Sequence, residues 1–295
     1  MKRIIACFLC VAMLVTIPIC PAHADLSPEM ETLVASFPGE DTFTETDISL
    51  VKDDGATLRG TLLLPDGAEK SVPLVIMSHG FNSGRNSCAK MAYAFGKSGI
   101  ASVRFDFGGF GESDGKVNKI SVLTEVEDLK EIIDYVKTLD FVDTDHIFLF
   151  GNSMGGLVTA LTAEERQEDI CAVILNYPAL SLADGVRAGK CLSATFDVNN
   201  LPKIIRSDGV PLGQVFITDI MDMDFYANLD KLAVDVLLIH GDVDDTVDIS
   251  SSIRASALIP NCTFYVMEGG GHGFEGEQLV EQAQISVAFV QEHLN

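Results

Sequence analysis

The chain has 295 residues, of which 47% are hydrophobic and 21% are charged, and this suits one domain with a large core. Its net charge of −23 disfavours binding to nucleic acid, to anionic membranes and to strongly anionic substrates. Beyond the N-terminus no apolar run is long enough to cross a bilayer, so we predict no stable membrane anchor.

The first 24 residues have the pattern of a secretory signal peptide. Lys2-Arg3 gives a basic start, residues 4–19 are apolar, and residues 22–24 match the A-x-A cleavage pattern. We expect cleavage after Ala24, which leaves residues 25–295 as the mature domain. Loss of the two basic residues changes the net charge from −23 to −25. The prediction is a secreted or periplasmic protein, with an uncleaved membrane anchor as the alternative.

Four cysteines lie beyond this leader, namely Cys88, Cys171, Cys191 and Cys262. They show no C-x-x-C spacing, so we expect no zinc site. Export permits disulfides, and a bond between Cys88 and Cys191 is conceivable because both are expected above the same edge of a sheet. Cys20 could indicate a lipoprotein, but the bulky isoleucine before it argues against that interpretation.

Hydrophobic patterning predicts an α/β fold. Residues 42–51 and 56–65 alternate and should pair as an antiparallel hairpin around Asp53-Asp54-Gly55. Strands and helices then alternate, which is typical of a mainly parallel sheet with helices on both faces. The predicted strands are 73–79, 100–105, 145–150, 171–177, 234–240 and 262–267, and helices are expected near 86–98, 123–139, 156–165, 249–257 and 277–293.

One segment, about 179–231, interrupts the alternation. Some fifty residues without structure would be unusual inside a compact domain, so we expect an inserted cap. Its aromatic side chains could contact an acyl group of a substrate or could form the core of the cap itself. These candidates are Phe196, Phe216, Phe225 and Tyr226.

The segment Gly151-Asn152-Ser153-Met154-Gly155 lies between a predicted strand and a predicted helix. G-x-S-x-G in that context is the pattern of a nucleophile elbow, whose tight turn needs small residues on both sides of the serine. Ser153 is therefore the candidate nucleophile. The alternative is a glycine-rich turn with an incidental serine.

A serine nucleophile needs a base, and the base needs an orienting acid. His272 is the candidate base, because a glycine-rich loop after a predicted strand can carry it over the sheet. His240 and His293 are the other histidines after Ser153, at a strand end and near the C-terminus. The acid should lie in the loop 240–247, which offers three aspartates: Asp242, Asp244 and Asp245.

These motifs resemble those of α/β-hydrolases, in particular cinnamoyl/feruloyl esterases and serine-aminopeptidase-like hydrolases. H-G-x-x-D-x-x-V at 240–247 is similar to their acid loop and implies Asp244 as the acid. S-H-G-F-N at 78–82 is similar to their H-G-F loop. The resemblance implies that the backbone N–H groups of Phe81 and Met154 form an oxyanion hole.

Two further features of the resemblance are structural. His79 would prop the H-G-F loop rather than carry protons. Residues 104–113 are similar to the family's D-x-x-G-x-G-x-S loop, whose glycines supply unusual backbone angles beside the site. The motifs occur in the family's order, and the resemblance covers residues 47–295.

The resemblance implies an exported serine carboxylesterase that works through an acyl-enzyme, without cofactor or metal. Its substrates would be small or saccharide-linked esters, hydroxycinnamoyl (feruloyl) esters above all. A serine peptidase or aminopeptidase of the same fold is the main alternative, and an acyltransferase is another. A non-catalytic hydrolase-like binding protein is the alternative of a different class. The sequence does not predict the oligomeric state.

Overall fold

The computed structural model describes residues 28–37, 43–68 and 70–294. The predicted leader, residues 1–24, lies outside this part of the chain. Within it, no helix is both long enough and apolar enough to cross a membrane.

The strands follow the predicted order closely. In chain order they are β1 (Phe43–Val51), β2 (Thr57–Pro65), β3 (Val72–Ser78), β4 (Ala101–Asp106), β5 (Val142–Asn152), β6 (Ala172–Asn176), β7 (Lys190–Cys191), β8 (Ala194–Thr195), β9 (Ile204–Ser207), β10 (Val210–Gly213), β11 (Asp235–Gly241) and β12 (Cys262–Met267). Eight of them form the central sheet, in the order β1-β2-β4-β3-β5-β6-β11-β12. The β1–β2 and β2–β4 pairs are antiparallel and the other pairs of this sheet are parallel. The mainly parallel sheet and its N-terminal hairpin are thus confirmed.

Helices cover both faces of the sheet. They are α1 (Pro28–Ala35), α2 (Ala89–Lys97), α3 (Val122–Val136), α4 (Met154–Arg166), α5 (Leu182–Arg187), α6 (Gln214–Thr218), α7 (Ser250–Leu258) and α8 (Gly276–Glu292). One core layer joins α3, α4, α7 and the cap to the sheet. The second joins α1, α2 and α8 to the opposite face. Helix α1 has no counterpart among the predicted elements.

The two core layers follow from the period-two alternation of the strands. In β3, Leu74 and Ile76 pack into the layer with α3, whereas Val75 and Met77 pack into the layer with α2. All four side chains are fully buried. A strand buried on both faces needs apolar residues at consecutive positions, and such continuous apolar runs in the sequence predict the parallel strands.

The insertion between β6 and β11 is an ordered cap rather than a loop. It consists of α5, the short hairpin β7–β8, the hairpin β9–β10 and α6. The cap packs onto the loop after β4 so closely that a Cβ on Gly213 would lie 2.1 Å from the Asn118 carbonyl oxygen. That contact fixes the second hairpin against the body of the molecule.

The four cysteines in the described part of the chain are free, among them the buried Cys88 and Cys191. The bond that was conceivable between these two is not formed. Burial raises the pKa of each thiol to about 12, which leaves them as buried apolar groups with little thiolate.

Candidate active site

Ser153 lies in a strained turn between β5 and α4. Its backbone has φ +52° and ψ −115°, a conformation that non-glycine residues rarely adopt. Glycines on either side allow the close packing that the turn requires. A Cβ on Gly151 would lie 2.4 Å from the Gly155 carbonyl oxygen, and one on Gly155 would lie 2.3 Å from the His79 carbonyl oxygen. Strand, G-x-S-x-G turn and helix therefore form the predicted elbow geometry.

The structure brings Ser153, His272 and Asp244 together from three separate loops. His272 Nε2 lies 2.9 Å from Ser153 Oγ, and His272 Nδ1 lies 2.7 Å from Asp244 Oδ2. Since the Asp244 oxygen is an acceptor, Nδ1 carries the proton and Nε2 accepts from the serine hydroxyl. Serine, base and acid thus form one continuous hydrogen-bonded chain of the kind that activates a hydroxyl group.

Asp244 is buried but surrounded by donors. Its Oδ1 accepts from the N–H groups of Thr246 at 2.8 Å and Val247 at 2.9 Å. Its Oδ2 accepts from His272 and lies 3.2 Å from His240 Nε2. Both carboxylate oxygens of this buried side chain are therefore hydrogen-bonded, and Oδ2 is held in place to accept from the base.

His240 holds the acid loop through hydrogen bonds and does not contact Ser153. Its Nδ1 lies 2.7 Å from Ser252 Oγ and its Nε2 lies 2.8 Å from the Val247 carbonyl oxygen. The carbonyl requires a proton on Nε2, so Nδ1 accepts from the Ser252 hydroxyl. Desolvation lowers the pKa of His240 despite the neighbouring Asp244, and it is held as a neutral ring.

The other two aspartates of the acid loop have different surroundings. Asp242 Oδ1 accepts from the N–H of Gly269 at 2.7 Å, which ties the acid loop to the loop that carries His272. Asp245 is exposed, and its Oδ1 lies 3.3 Å from Thr246 Oγ1. Neither carboxylate is hydrogen-bonded to the imidazole.

His79 holds the loop on the other side of Ser153. It is fully buried, with Nδ1 lying 2.8 Å from the Gly80 carbonyl oxygen and Nε2 accepting from the N–H of Phe107 at 3.1 Å. The first bond places the proton on Nδ1. Burial lowers the pKa of His79, so the ring stays neutral and orients the chain directly before Phe81.

Asp106 anchors the neighbouring glycine-rich loop. Its carboxylate accepts from the N–H groups of Arg85 at 2.7 Å and Glu112 at 3.0 Å, and it forms an ion pair with the Arg85 guanidinium. Only 2% of Asp106 is exposed, and a Cβ on Gly111 would collide with it at 2.3 Å. The structural interpretation of residues 104–113 agrees with this arrangement.

A cavity of about 380 Å³ lies over Ser153. Phe81, Tyr177 and Leu192 contribute its apolar surface, and Asn82 and Asn152 are among its polar groups. A second cavity of about 370 Å³ continues beneath the cap, and both share a wall formed by Leu192, Asp208 and Thr246. Sites of such size suit small organic molecules.

The two groups predicted to hold an oxyanion lie beside the serine. Phe81 lines the cavity directly after Gly80, where an added Cβ would lie 3.4 Å from Ser153 Cβ. Met154 is the first residue of α4, so its N–H has no partner inside the helix.

The four cap aromatics occupy the interior of the cap instead of the site. Phe216, Phe225 and Tyr226 are buried in the core layer, Phe196 packs against it, and none of the four lines either of the two cavities. Of the two expectations for these side chains, the structure favours the core of the cap. Phe216 still packs behind Phe81, with ring centroids 6.3 Å apart.

The sequence did not single out three residues that line the cavity. Tyr177, Leu192 and Asp208 all have positive φ, at +38°, +52° and +49°. The dipeptide Asp208-Gly209 is a hairpin-turn signal that could have indicated one of them. No comparable signal marks Tyr177 or Leu192.

Within the described part of the chain, no three His, Cys, Asp or Glu side chains cluster as metal ligands would. Proton transfer from Ser153 to His272 uses only the side chains of the hydrogen-bonded chain.

Comparison with known proteins finds a likeness to hydrolases. A family model described as serine aminopeptidase matches residues 69–206. An uncharacterised 31.7 kDa protein of Escherichia coli, from the traX-finO intergenic region, is 35% identical over 126 residues, which are 42% of each chain. The quorum-quenching protein AidA of Acinetobacter baumannii is 30% identical over 112 residues, or 37% of this chain and 36% of AidA. The matches therefore span about two-fifths of the length of these curated relatives.

Solved structures extend the likeness over most of the fold. Est1E from Butyrivibrio proteoclasticus, with ferulic acid bound, superposes with a TM-score of 0.79 at 28% identity, covering 84% of this chain and 99% of Est1E. The chain has the α/β-hydrolase fold.

Proposed function

We propose that this protein is a serine carboxylesterase that works through an acyl-enzyme. The observation that carries the proposal is the continuous chain from Ser153 through His272 to Asp244, with distances of 2.9 and 2.7 Å. Asp244 is shielded from solvent while 22% of the His272 side chain is exposed, so the base can exchange protons with a substrate.

The reaction follows from this geometry. Ser153 Oγ attacks the ester carbonyl carbon while its proton passes to His272 Nε2, and Asp244 stabilises the imidazolium that forms. The N–H groups of Phe81 and Met154 donate to the oxyanion. Collapse of this tetrahedral intermediate expels the alcohol, which takes the proton from His272, and Ser153 is left acylated. Water then attacks the acyl group, returns a proton through His272 and releases the acid.

Hydroxycinnamoyl esters, feruloyl esters in particular, are the substrates that we propose. The likeness to Est1E, which is known with ferulic acid bound, supports this substrate class. So does the mixed lining of the cavity, where Phe81, Tyr177 and Leu192 can contact an aromatic acid. Small or saccharide-linked alcohols are the leaving groups that we propose.

The nucleophile can be tested by substitution and labelling. Ser153→Ala should lower ester hydrolysis by several orders of magnitude and abolish labelling by a fluorophosphonate, because only an activated serine reacts. Ser256→Ala, at a half-buried serine of α7 whose hydroxyl donates to the Ile253 carbonyl oxygen, is the control. More than a few per cent residual activity in Ser153→Ala would place the nucleophile elsewhere, and an unlabelled native protein would favour a non-catalytic binding protein.

A peptidase is the second candidate, because the family model that matches residues 69–206 is described as serine aminopeptidase. Turnover of ethyl ferulate and of aminoacyl-anilides should be compared on the same preparation, with acceptor alcohols added in a third assay. We expect the ferulate ester to be preferred. Preference for the anilides would establish the peptidase, and accumulation of new esters would establish an acyltransferase.

Export is a separate proposal, supported by the basic, apolar and A-x-A pattern of residues 1–24. Mass spectrometry of protein recovered from medium, periplasm and cytoplasm should find a chain that starts at Asp25. Intact chain in the cytoplasm or in the membrane fraction would contradict it.

A further inference from the structure

Tyr177 is held in a rare conformation directly beside the candidate base. Its φ of +38° lies in the left-handed region, which bulky residues seldom adopt. Tyr177 also precedes Pro178, and residues before proline normally have an extended backbone. Such strained residues persist where their surroundings fix them, and they concentrate at functional sites.

Contacts on both sides fix the backbone at this position. The N–H of Tyr177 donates to the Ile239 carbonyl oxygen at 2.7 Å, which ties it to the strand before the acid loop. Two residues later, the N–H of Ala179 donates to the Ser153 carbonyl oxygen at 3.0 Å. The turn is therefore bound to the elements that carry both the acid and the nucleophile.

The ring of Tyr177 is clamped between two side chains of the base loop. Its centroid lies 4.8 Å from that of His272 and 5.4 Å from that of Phe274, with ring planes inclined at 61° and 81°. These are edge-to-face arrangements, which aromatic rings prefer. Only 8% of Tyr177 is exposed, and the exposed part lines the cavity over Ser153.

His272 needs such a support because its two neighbours in the chain are glycines. The base loop is held at Gly269 by Asp242 and at Gly270, whose carbonyl oxygen accepts from the N–H of Val243 at 3.0 Å. Beside the imidazole itself, a Cβ on Gly271 or Gly273 would meet nothing within 4 Å. The hydrogen bonds at Nδ1 and Nε2 hold the two ends of the imidazole but leave it free to tilt about the line between them. The Tyr177 ring blocks that tilt.

We propose that Tyr177 is a positioning residue that fixes the plane of His272 for proton transfer, a role that rests on the proposed serine-esterase function. The ring acts and the hydroxyl is dispensable. Burial raises the pKa of Tyr177 above its usual range, so the ring stays uncharged beside the imidazolium. The strained turn is retained because it is what places the ring against the base.

The test compares Tyr177→Phe, which keeps the ring, with Tyr177→Leu, which removes it. Because a small misplacement of a catalytic group costs much rate, kcat should fall roughly ten- to hundredfold in Tyr177→Leu, and this fall should exceed any rise in KM from the lost cavity surface. Tyr177→Phe should stay within about twofold of native kcat. The low-field Nδ1–H proton of His272, observed by NMR, should be sharp in the native protein and in Tyr177→Phe and broadened in Tyr177→Leu.

The control is Phe95→Leu, which shortens an equally buried ring packed on Phe150 away from the site. It should lower stability without lowering kcat per folded molecule. Native kcat in folded Tyr177→Leu overturns the proposal, and so does equal loss in Tyr177→Phe and Tyr177→Leu. If Tyr177→Leu does not fold, Tyr177→Met in its place gives the same comparison with Tyr177→Phe. Failure of the proposed serine catalysis itself is recognised separately, because the native protein would then resist fluorophosphonate.

Discussion

Leu192 and Asp208 form one wall of the site from the tips of two different cap hairpins. Leu192 connects β7 to β8 and Asp208 connects β9 to β10, and both line the cavity over Ser153 and the cavity beneath the cap. The tips are tied together, since the N–H of Asp208 donates to Ser193 Oγ at 2.8 Å and the N–H of Ser193 donates to Ser207 Oγ at 3.1 Å. The partition between the cavities is therefore a fixed part of the cap.

The first prediction concerns this partition. Leu192→Ala should join the cavities of about 380 and 370 Å³ and shift preference toward longer acyl chains. One methylene in an apolar pocket changes selectivity about tenfold or more, so the ratio of kcat/KM for octanoate over acetate esters should rise by about that factor. Nitrophenyl esters of graded chain length provide the measurement.

Leu201→Ala is the matched control, because Leu201 packs against the core layer of the cap and lines neither cavity. An unchanged chain-length profile in folded Leu192→Ala would show that the side chain does not limit the substrate. A shift seen only when the alcohol is varied would assign the second cavity to the leaving group.

The second prediction separates the three aspartates of the acid loop. Asp244→Asn removes the anion that His272 faces, and kcat should fall about 10³- to 10⁴-fold. Asp245→Asn should be nearly silent, because Asp245 is exposed and does not contact the base. Asp242→Asn keeps an oxygen for the Gly269 N–H and should be mild, whereas Asp242→Ala should lower kcat because it unties the base loop. A larger loss of kcat in Asp245→Asn than in Asp244→Asn would show that Asp245, and not Asp244, is the acid of the site.

The third prediction concerns His79. His79→Phe keeps an aromatic ring but leaves the Gly80 carbonyl and the Phe107 N–H without their partner. Because a lost or misplaced oxyanion donor costs about 10²- to 10³-fold in kcat, we expect a loss approaching that range with little change in KM. His146→Phe, which replaces a half-buried surface histidine paired with Asp143 at 3.1 Å, is the control. Equal kcat in both variants would show that His79 does not position the loop that carries Phe81.

The sequence predicted the parts of the site that depend on short-range patterns. Ser153 is marked by its glycines and His272 by its glycine-rich loop after a recognisable strand. The loop 240–247 offered three aspartates, and only the family resemblance singled out Asp244. Tyr177 and Leu192 were missed because no sequence pattern predicts a left-handed backbone at a bulky residue. The roles of the cap aromatics were left open for a related reason: burial against a cap and burial against a substrate require the same residue types.

The last prediction concerns the pH dependence of stability. Glu125 is fully buried in the first turn of α3, and among the described residues neither of its carboxyl oxygens has a hydrogen-bond partner. Burial, and then the nearby Asp128, raise the pKa of Glu125 well above its usual value. The folded state therefore binds a proton that the unfolded chain releases near pH ~4.3, and stability is lost as pH rises from there through the folded-state pKa.

Glu125→Gln removes that loss, so its Tm relative to the native protein should be higher at pH 8 than at pH 5 by several degrees. Glu127→Gln, an exposed site on the same helix, is the control and should show no such difference. Parallel thermal melts at the two pH values provide the measurement, and a Tm difference that does not depend on pH would show that Glu125 is already ionised in the folded protein.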